Sequence, residues 1–151
     1  MNGEKIIVKI QVGSHLYGTA TSQSDLDYKG VFLPSKRVIL LGKIPKSHTC
    51  STSDDEAKNT AQDIDIELYS LHYFIQLACE GQTVALDMLH APDVMIVERS
   101  EIWNAIVKKR QRFYSKNLQS FVRYARRQAS KYGVKGARLH AVNTVLEVLK
   151  A

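Results

Sequence analysis

Asp25 and Asp27 stand one residue apart, and Gly13-Ser14 precedes them by only eleven residues. Side chains on a strand alternate faces, so Asp25 and Asp27 would point the same way. Two carboxylates aimed at one spot repel unless a cation lies between them. Hard divalent ions with oxygen ligands, above all Mg2+, suit such a pair. A Gly-Ser turn lets backbone N–H groups approach an anion closely. Metal-binding acids beside a phosphate cradle are the parts needed for phosphoryl or nucleotidyl transfer.

An isolated Asp-x-Asp is often only a solvated strand face. The later run Asp63-Ile64-Asp65-Ile66-Glu67-Leu68 adds weight, because its strict alternation puts three more acids on one face. If the two strands lie side by side, Asp65 joins Asp25 and Asp27 around one or two metal ions and helps draw the proton from a nucleophile. Asp63 and Glu67 share that face and compete for the role. Gly13, Ser14 and His15 are the expected phosphate contacts, with Lys29 a further candidate and Lys36 a weaker one. Tyr17 is expected to pack.

These residues need elements to hold them. An apolar run, Ile6 to Val12, reads as a buried strand, and Ser14 to Ala20 as a short helix. Asp25 to Leu33 reads as a second strand ended by Pro34. Ser35 can cap a helix through Leu41, with Val38, Ile39, Leu40 and Leu41 facing inward. Residues 42–62 carry no regular pattern and read as a long loop. Helical periodicity begins at Tyr69, with Leu71, Phe74, Ile75 and Ala78 as its stripe and Gly81 as its stop. Further helices are expected over Val84 to His90, over Ser100 to Lys109, around Leu118 to Ala125, and over Ala137 to Lys150. A small strand is expected at Val94 to Val97. The fold class is α/β or α+β: a small mixed sheet with helices on one face and a basic helical extension. The division expected is a core at 1–107 and an extension at 108–151, the latter read as a truncated piece because no stop signal follows its last helix.

Charge follows the same division. Residues 1–107 carry nine Lys/Arg and fourteen Asp/Glu, whereas residues 108–151 carry twelve Lys/Arg and one acid. Aromatic residues are interleaved with these cations, a combination that suits nucleic acid. Arg123, Arg126 and Arg127 are the expected acceptor-binding residues. Cys50 and Cys79 make neither a close-spaced zinc motif nor a disulfide framework. No apolar run reaches the length of a membrane span and no secretory layout opens the chain, so a reducing cytoplasm is the expected compartment.

The stretch Gly13-Ser14-His15-Leu16-Tyr17-Gly18 with Ser24-Asp25-Leu26-Asp27 resembles the signature of the DNA polymerase beta-like nucleotidyltransferase superfamily. Its Gly-Ser-x-x-Tyr-Gly form is most similar to the RNA-repair-associated, RlaP-like family. Asp65 ahead of Tyr69-Ser70-Leu71-His72, the run Glu80 to Leu89, and Phe121 to Gln128 extend the likeness across most of residues 6–138. His72 and Tyr73 depart from it, standing where the family places a basic pair. The resemblance implies Mg2+-dependent (Mn2+ as substitute) transfer of a nucleoside monophosphate, AMP from ATP, to a hydroxyl. RNA is the first acceptor expected and a protein side chain the second. Two rivals are a non-catalytic, antitoxin-like partner of a helical toxin and an RNA-binding module.

Overall fold

The structure, a computed structural model, describes residues 3–22, 24–52, 64–114 and 119–132. Five strands form one mixed sheet: β1 (Lys5–Gln11), β2 (Leu26–Leu33), β3 (Ser47–Ser51), β4 (Ile64–Ser70) and β5 (Ile96–Arg99), in the order β3-β4-β2-β1-β5. The β2–β4 pair is parallel and the other three pairs are antiparallel. Among the described residues six α-helices accompany the strands: α1 (Gly13–Leu16), α2 (Lys36–Leu40), α3 (Leu71–Cys79), α4 (Thr83–His90), α5 (Glu101–Lys108) and α6 (Gln119–Tyr132). This is the mixed α+β architecture expected, with a sheet and a basic helix after it.

A parallel pair cannot be closed by a hairpin, so the chain must cross over between β2 and β4. It does so through α2 and β3, and β3 returns as the antiparallel edge beside β4. The Ser/Thr-rich run that reads as loop thus contains a strand. Its pairing comes from β4 and not from any apolar pattern of its own. Residues 53–63, including Asp63, and the expected helix over Ala137 to Lys150 lie outside the described residues.

The core forms on one sheet face. Val8, Ile10 and Val12 from β1 and its end, Val31 from β2 and Tyr69 from β4 meet Phe74, Leu77 and Ala78 of α3. Ala85, Met88 and Leu89 of α4 and Trp103 of α5 complete it. The register shifts between Ile6 and Val8, and this bulge buries the adjacent Ile7 and Val8 together. Serines start three of the helices: Ser35, Ser70 and Ser100 each accept a hydrogen bond from the backbone N–H three residues on. Ser100 also donates to the Ile7 carbonyl at 2.8 Å, which ties α5 to β1.

One expectation fails at α2. Ile39, Leu40 and Leu41 are 44%, 85% and 58% exposed instead of facing inward. Successive helical residues turn by about 100°, so three in a row cannot share one face, and this single turn has only Val38 half-buried.

Gly30 lies where β1, β2 and β4 pass closest. A Cβ there would sit 2.7 Å from the Val8 carbonyl oxygen and 2.7 Å from Leu68 Cδ2. The backbone oxygen belongs to the neighbouring strand and cannot rotate away. Gly30→Ala is therefore expected to cost about 1–3 kcal/mol, read as a lower melting temperature by calorimetry; an unchanged value would mean that the strands part to admit the methyl group.

Candidate active site

The parallel ladder sets the site. Register partners are Asp27 with Asp65, Lys29 with Glu67, and Val31 with Tyr69. Because side chains alternate, all six occupy one face, the same face that the helices cover further along. Asp25 lies one residue before β2 and turns toward the same place. The carboxylates of Asp25, Asp27 and Asp65 offer oxygens that all lie within 4.8 Å of one another. Asp25 and Asp27 are half-buried and Asp65 is exposed, so the group is open to solvent on the β4 side.

Crowding shows in the protonation of Asp27. Burial raises its pKa first, the neighbouring charges of Asp25 and Asp65 raise it further, and Lys29 and His15 only partly offset them. A site that disfavours its own negative charge favours a cation.

Glu67 is drawn away from this group. It takes a 2.6 Å ion pair from Lys29 Nζ and a 2.6 Å hydrogen bond from the Tyr69 hydroxyl. Burial would raise the Glu67 carboxyl, but those two hydrogen bonds and the Lys29 charge hold it below the usual range. Lys29 also donates to the Tyr69 hydroxyl at 3.2 Å. Glu67 is therefore engaged by Lys29 and Tyr69 and is not among the converging carboxylates, and Lys29 is held by side chains of the neighbouring strand.

The turn into α1 approaches the acids closely. Gly13 has φ +66°, a backbone conformation that side chains rarely adopt, and a Cβ there would collide with Asp27 Oδ2. The Val12 N–H donates to the Asp27 carbonyl at 2.9 Å, pinning the turn to β2. The helix is four residues long, ending at Leu16, because the chain turns again at Tyr17 and Gly18. Ser14 Oγ and His15 Nε2 are shielded from solvent, with no hydrogen-bond partner among the described residues.

Two cavities meet at Asp27 and Lys29. One, of about 360 Å³, runs toward the β3 edge and is lined by Asp65, Glu67, Thr49 and Ser51 among others. The second, of about 260 Å³, runs toward the helices and includes Tyr17, Thr83, Asp87 and Tyr124. A third adjoins it through Thr83 and Tyr124, and Arg123 and Arg127 line it with Gln82. Of the three expected acceptor residues, Arg123 and Arg127 thus face one cavity, while Arg126 is exposed on the same helix and does not line it.

Tyr17 does not pack as expected. It is 56% exposed, and its hydroxyl donates to Asp87 Oδ2 at 2.6 Å. Asp87 carries no role in the sequence analysis, although it is the one carboxylate in the apolar run Thr83-Val84-Ala85-Leu86-Asp87-Met88-Leu89. A lone acid in such a helix was the available signal.

The sequence profile of the family described as RlaP, RNA repair pathway DNA polymerase beta family, matches residues 1–148. The chain belongs to this family. A protein of Enterobacteria phage T4 is 48% identical over 147 residues, covering 96% of this chain and 44% of the relative. It is described as an uncharacterized 38.9 kDa protein in the nrdC-mobD intergenic region. The chain therefore spans less than half the length of that relative. No solved structure matches. No helix among the described residues is long and apolar enough to cross a membrane.

Membership in a polymerase beta family makes the chain a relative of nucleotidyltransferases, which typically use divalent metals. The donor set of this RlaP protein fits one. It is all carboxylate oxygen, with the convergence and charge that a hard divalent cation requires.

The metal-free protein should reveal the strain. The folded-state pKa of Asp27 is raised, so the stability it contributes is greatest below the unfolded value and is lost as pH rises through the folded value. Asp27→Asn is expected to raise the melting temperature by about 2–4 °C at neutral pH in chelator. Mg2+ should then stabilise the wild type and not the variant. A variant no more stable than the wild type in chelator would contradict the crowding.

Proposed function

We propose that this chain is a Mg2+-dependent nucleotidyltransferase that moves AMP from ATP to a hydroxyl of RNA. The observation that carries the reading is the meeting of Asp25, Asp27 and Asp65 within 4.8 Å. Asp25, Asp27 and Asp65 would hold the metal, which offsets the negative charge that builds on the phosphate oxygens and for which Mn2+ is a substitute. Asp65, the exposed member, receives the proton of the attacking hydroxyl as its oxygen bonds to the α-phosphorus. The bond to pyrophosphate then breaks in line.

The remaining residues bind and orient. The triphosphate lies over Gly13, Ser14 and His15. Ser14 Oγ is a buried hydroxyl without a partner among the described residues, a state that costs about 1–3 kcal/mol and that a phosphate oxygen would relieve. Lys29, fixed by Glu67 and Tyr69, keeps a positive charge beside Asp27. Arg123 and Arg127, which line the adjoining cavity, bind the acceptor at the edge of the site. Three converging carboxylates argue against a pure binding protein, which gains nothing from their repulsion.

Labelled ATP, GTP, CTP and UTP incubated with the chain, Mg2+ and RNA should show transfer of label from ATP to RNA. Asp25→Asn should lower turnover by more than the ~100-fold that loss of an outer-shell partner costs, with the fold intact by circular dichroism. Turnover retained in that variant would remove Asp25 from the mechanism. Arg123→Glu with Arg127→Glu should weaken RNA binding and reduce its salt slope by roughly 1–2, leaving ATP affinity within twofold. Equal loss of both affinities would count against an acceptor role.

A further inference from the structure

The cavity on the helical side of Asp27 has a chemistry that the transfer reading leaves unused. Its far wall combines the apolar side chains of Leu16 and Val84 with the rings of Tyr17 and Tyr124 and the carboxylate of Asp87. Tyr17 and Tyr124 are 56% and 38% exposed, so ring surface is available for contact. Three elements converge there: the end of α1, the middle of α4 and α6. The Tyr17 hydroxyl holds Asp87 Oδ2 at 2.6 Å. Burial raises the Tyr17 pKa first, the hydrogen bond and charge of Asp87 raise it further, and the Tyr124 phenol stands close enough to add to both. The three side chains are thus held as one group.

An ionised carboxylate only accepts hydrogen bonds, and it repels phosphate. This end of the cavity therefore rejects the triphosphate tail and favours a flat, largely apolar group that carries N–H or O–H donors. A nucleoside is such a group, and aromatic side chains take bases by stacking. The other end of the same cavity is Asp27 with Gly13 and Lys29. A nucleotide whose tail meets the acids can thus place its nucleoside against the tyrosines without leaving the cavity.

We propose that the Tyr17–Asp87–Tyr124 group is the nucleoside subsite, with Asp87 accepting from a donor on the nucleoside, either the amino group of the base or a ribose hydroxyl. Tyr17 donates to Oδ2, and Oδ1 is the oxygen assigned to accept from the ligand. The subsite sets which nucleotide is used, and α6 closes it with Tyr124 while presenting Arg123 and Arg127 to the adjoining cavity. This rests on the nucleotidyltransferase reading.

The test measures binding by calorimetry, with Mg2+, of four probes: ATP, 2′-deoxy-ATP, the triphosphate of purine riboside (which lacks the amino group) and inorganic tripolyphosphate. Asp87→Ala is expected to weaken ATP about ten- to hundredfold, the worth of a charge-assisted hydrogen bond, and to leave tripolyphosphate within twofold. Asp87→Asn keeps an acceptor for Tyr17, controls for lost packing, and should fall between. In the wild type, one of the two nucleoside analogues should be as weak as ATP is in Asp87→Ala, and that analogue identifies the donor. The variant should no longer discriminate it from ATP. Equal loss of ATP and tripolyphosphate, no loss of ATP, or no discrimination by the wild type would overturn the subsite and leave the acids in place. If the wild type binds neither ATP nor tripolyphosphate, the transferase reading falls and the subsite with it.

Discussion

The parallel ladder between β2 and β4 is the constraint on which the rest depends. Its register runs unbroken from Leu26 with Ile64 to Phe32 with Ser70. On the helix-covered face it pairs acid with acid, then cation with anion, then apolar with apolar: Asp27 with Asp65, Lys29 with Glu67, Val31 with Tyr69. Like charges directly opposite each other destabilise a sheet. Here the unfavourable pair sits at the open end, and the same two strands are anchored at the other end by a closed core. A slip of one residue would turn every side chain to the opposite face, so the core that holds Val31 and Tyr69 also holds the aspartates in place.

The middle pair separates the two regimes. Lys29, Glu67 and Tyr69 satisfy one another through short hydrogen bonds. Without the lysine, Glu67 would be a further carboxylate near an already crowded group. With it, the acids that converge without such a partner, among the described residues, are Asp25, Asp27 and Asp65. Glu67 is thereby set apart from the three converging carboxylates, a separation that alternation along the sequence does not show.

Backbone and helices supply the other boundaries. Gly13 brings the turn so near Asp27 that a methyl group would collide with the carboxylate, and the Val12–Asp27 hydrogen bond keeps it there. On the far side α6 rests against α4 and brings arginines toward a site whose own charge is negative. The same contact gives Tyr17, Asp87 and Tyr124 their shared position.

What the sequence alone determined is local. Alternation in Asp63 to Leu68, the Gly-Ser step, the paired aspartates and the serine caps are short-range patterns, and each is fixed by stereochemistry within a few residues. They were enough for β1, β2, β4, the helices capped by Ser35 and Ser100, the meeting of Asp25, Asp27 and Asp65, and the family. Tertiary structure decided what depends on partners distant in the chain. The strand Ser47–Ser51 exists because β4 offers it an edge, and Ile39 to Leu41 stay exposed because no layer among the described residues covers them. Glu67 leaves the acid group because Lys29 lies across from it, 38 residues earlier, and Tyr17 meets Asp87 across 70. Such pairings carry no local signature, because they arise when separate elements bury their apolar faces together and bring whatever polar groups they carry along with them.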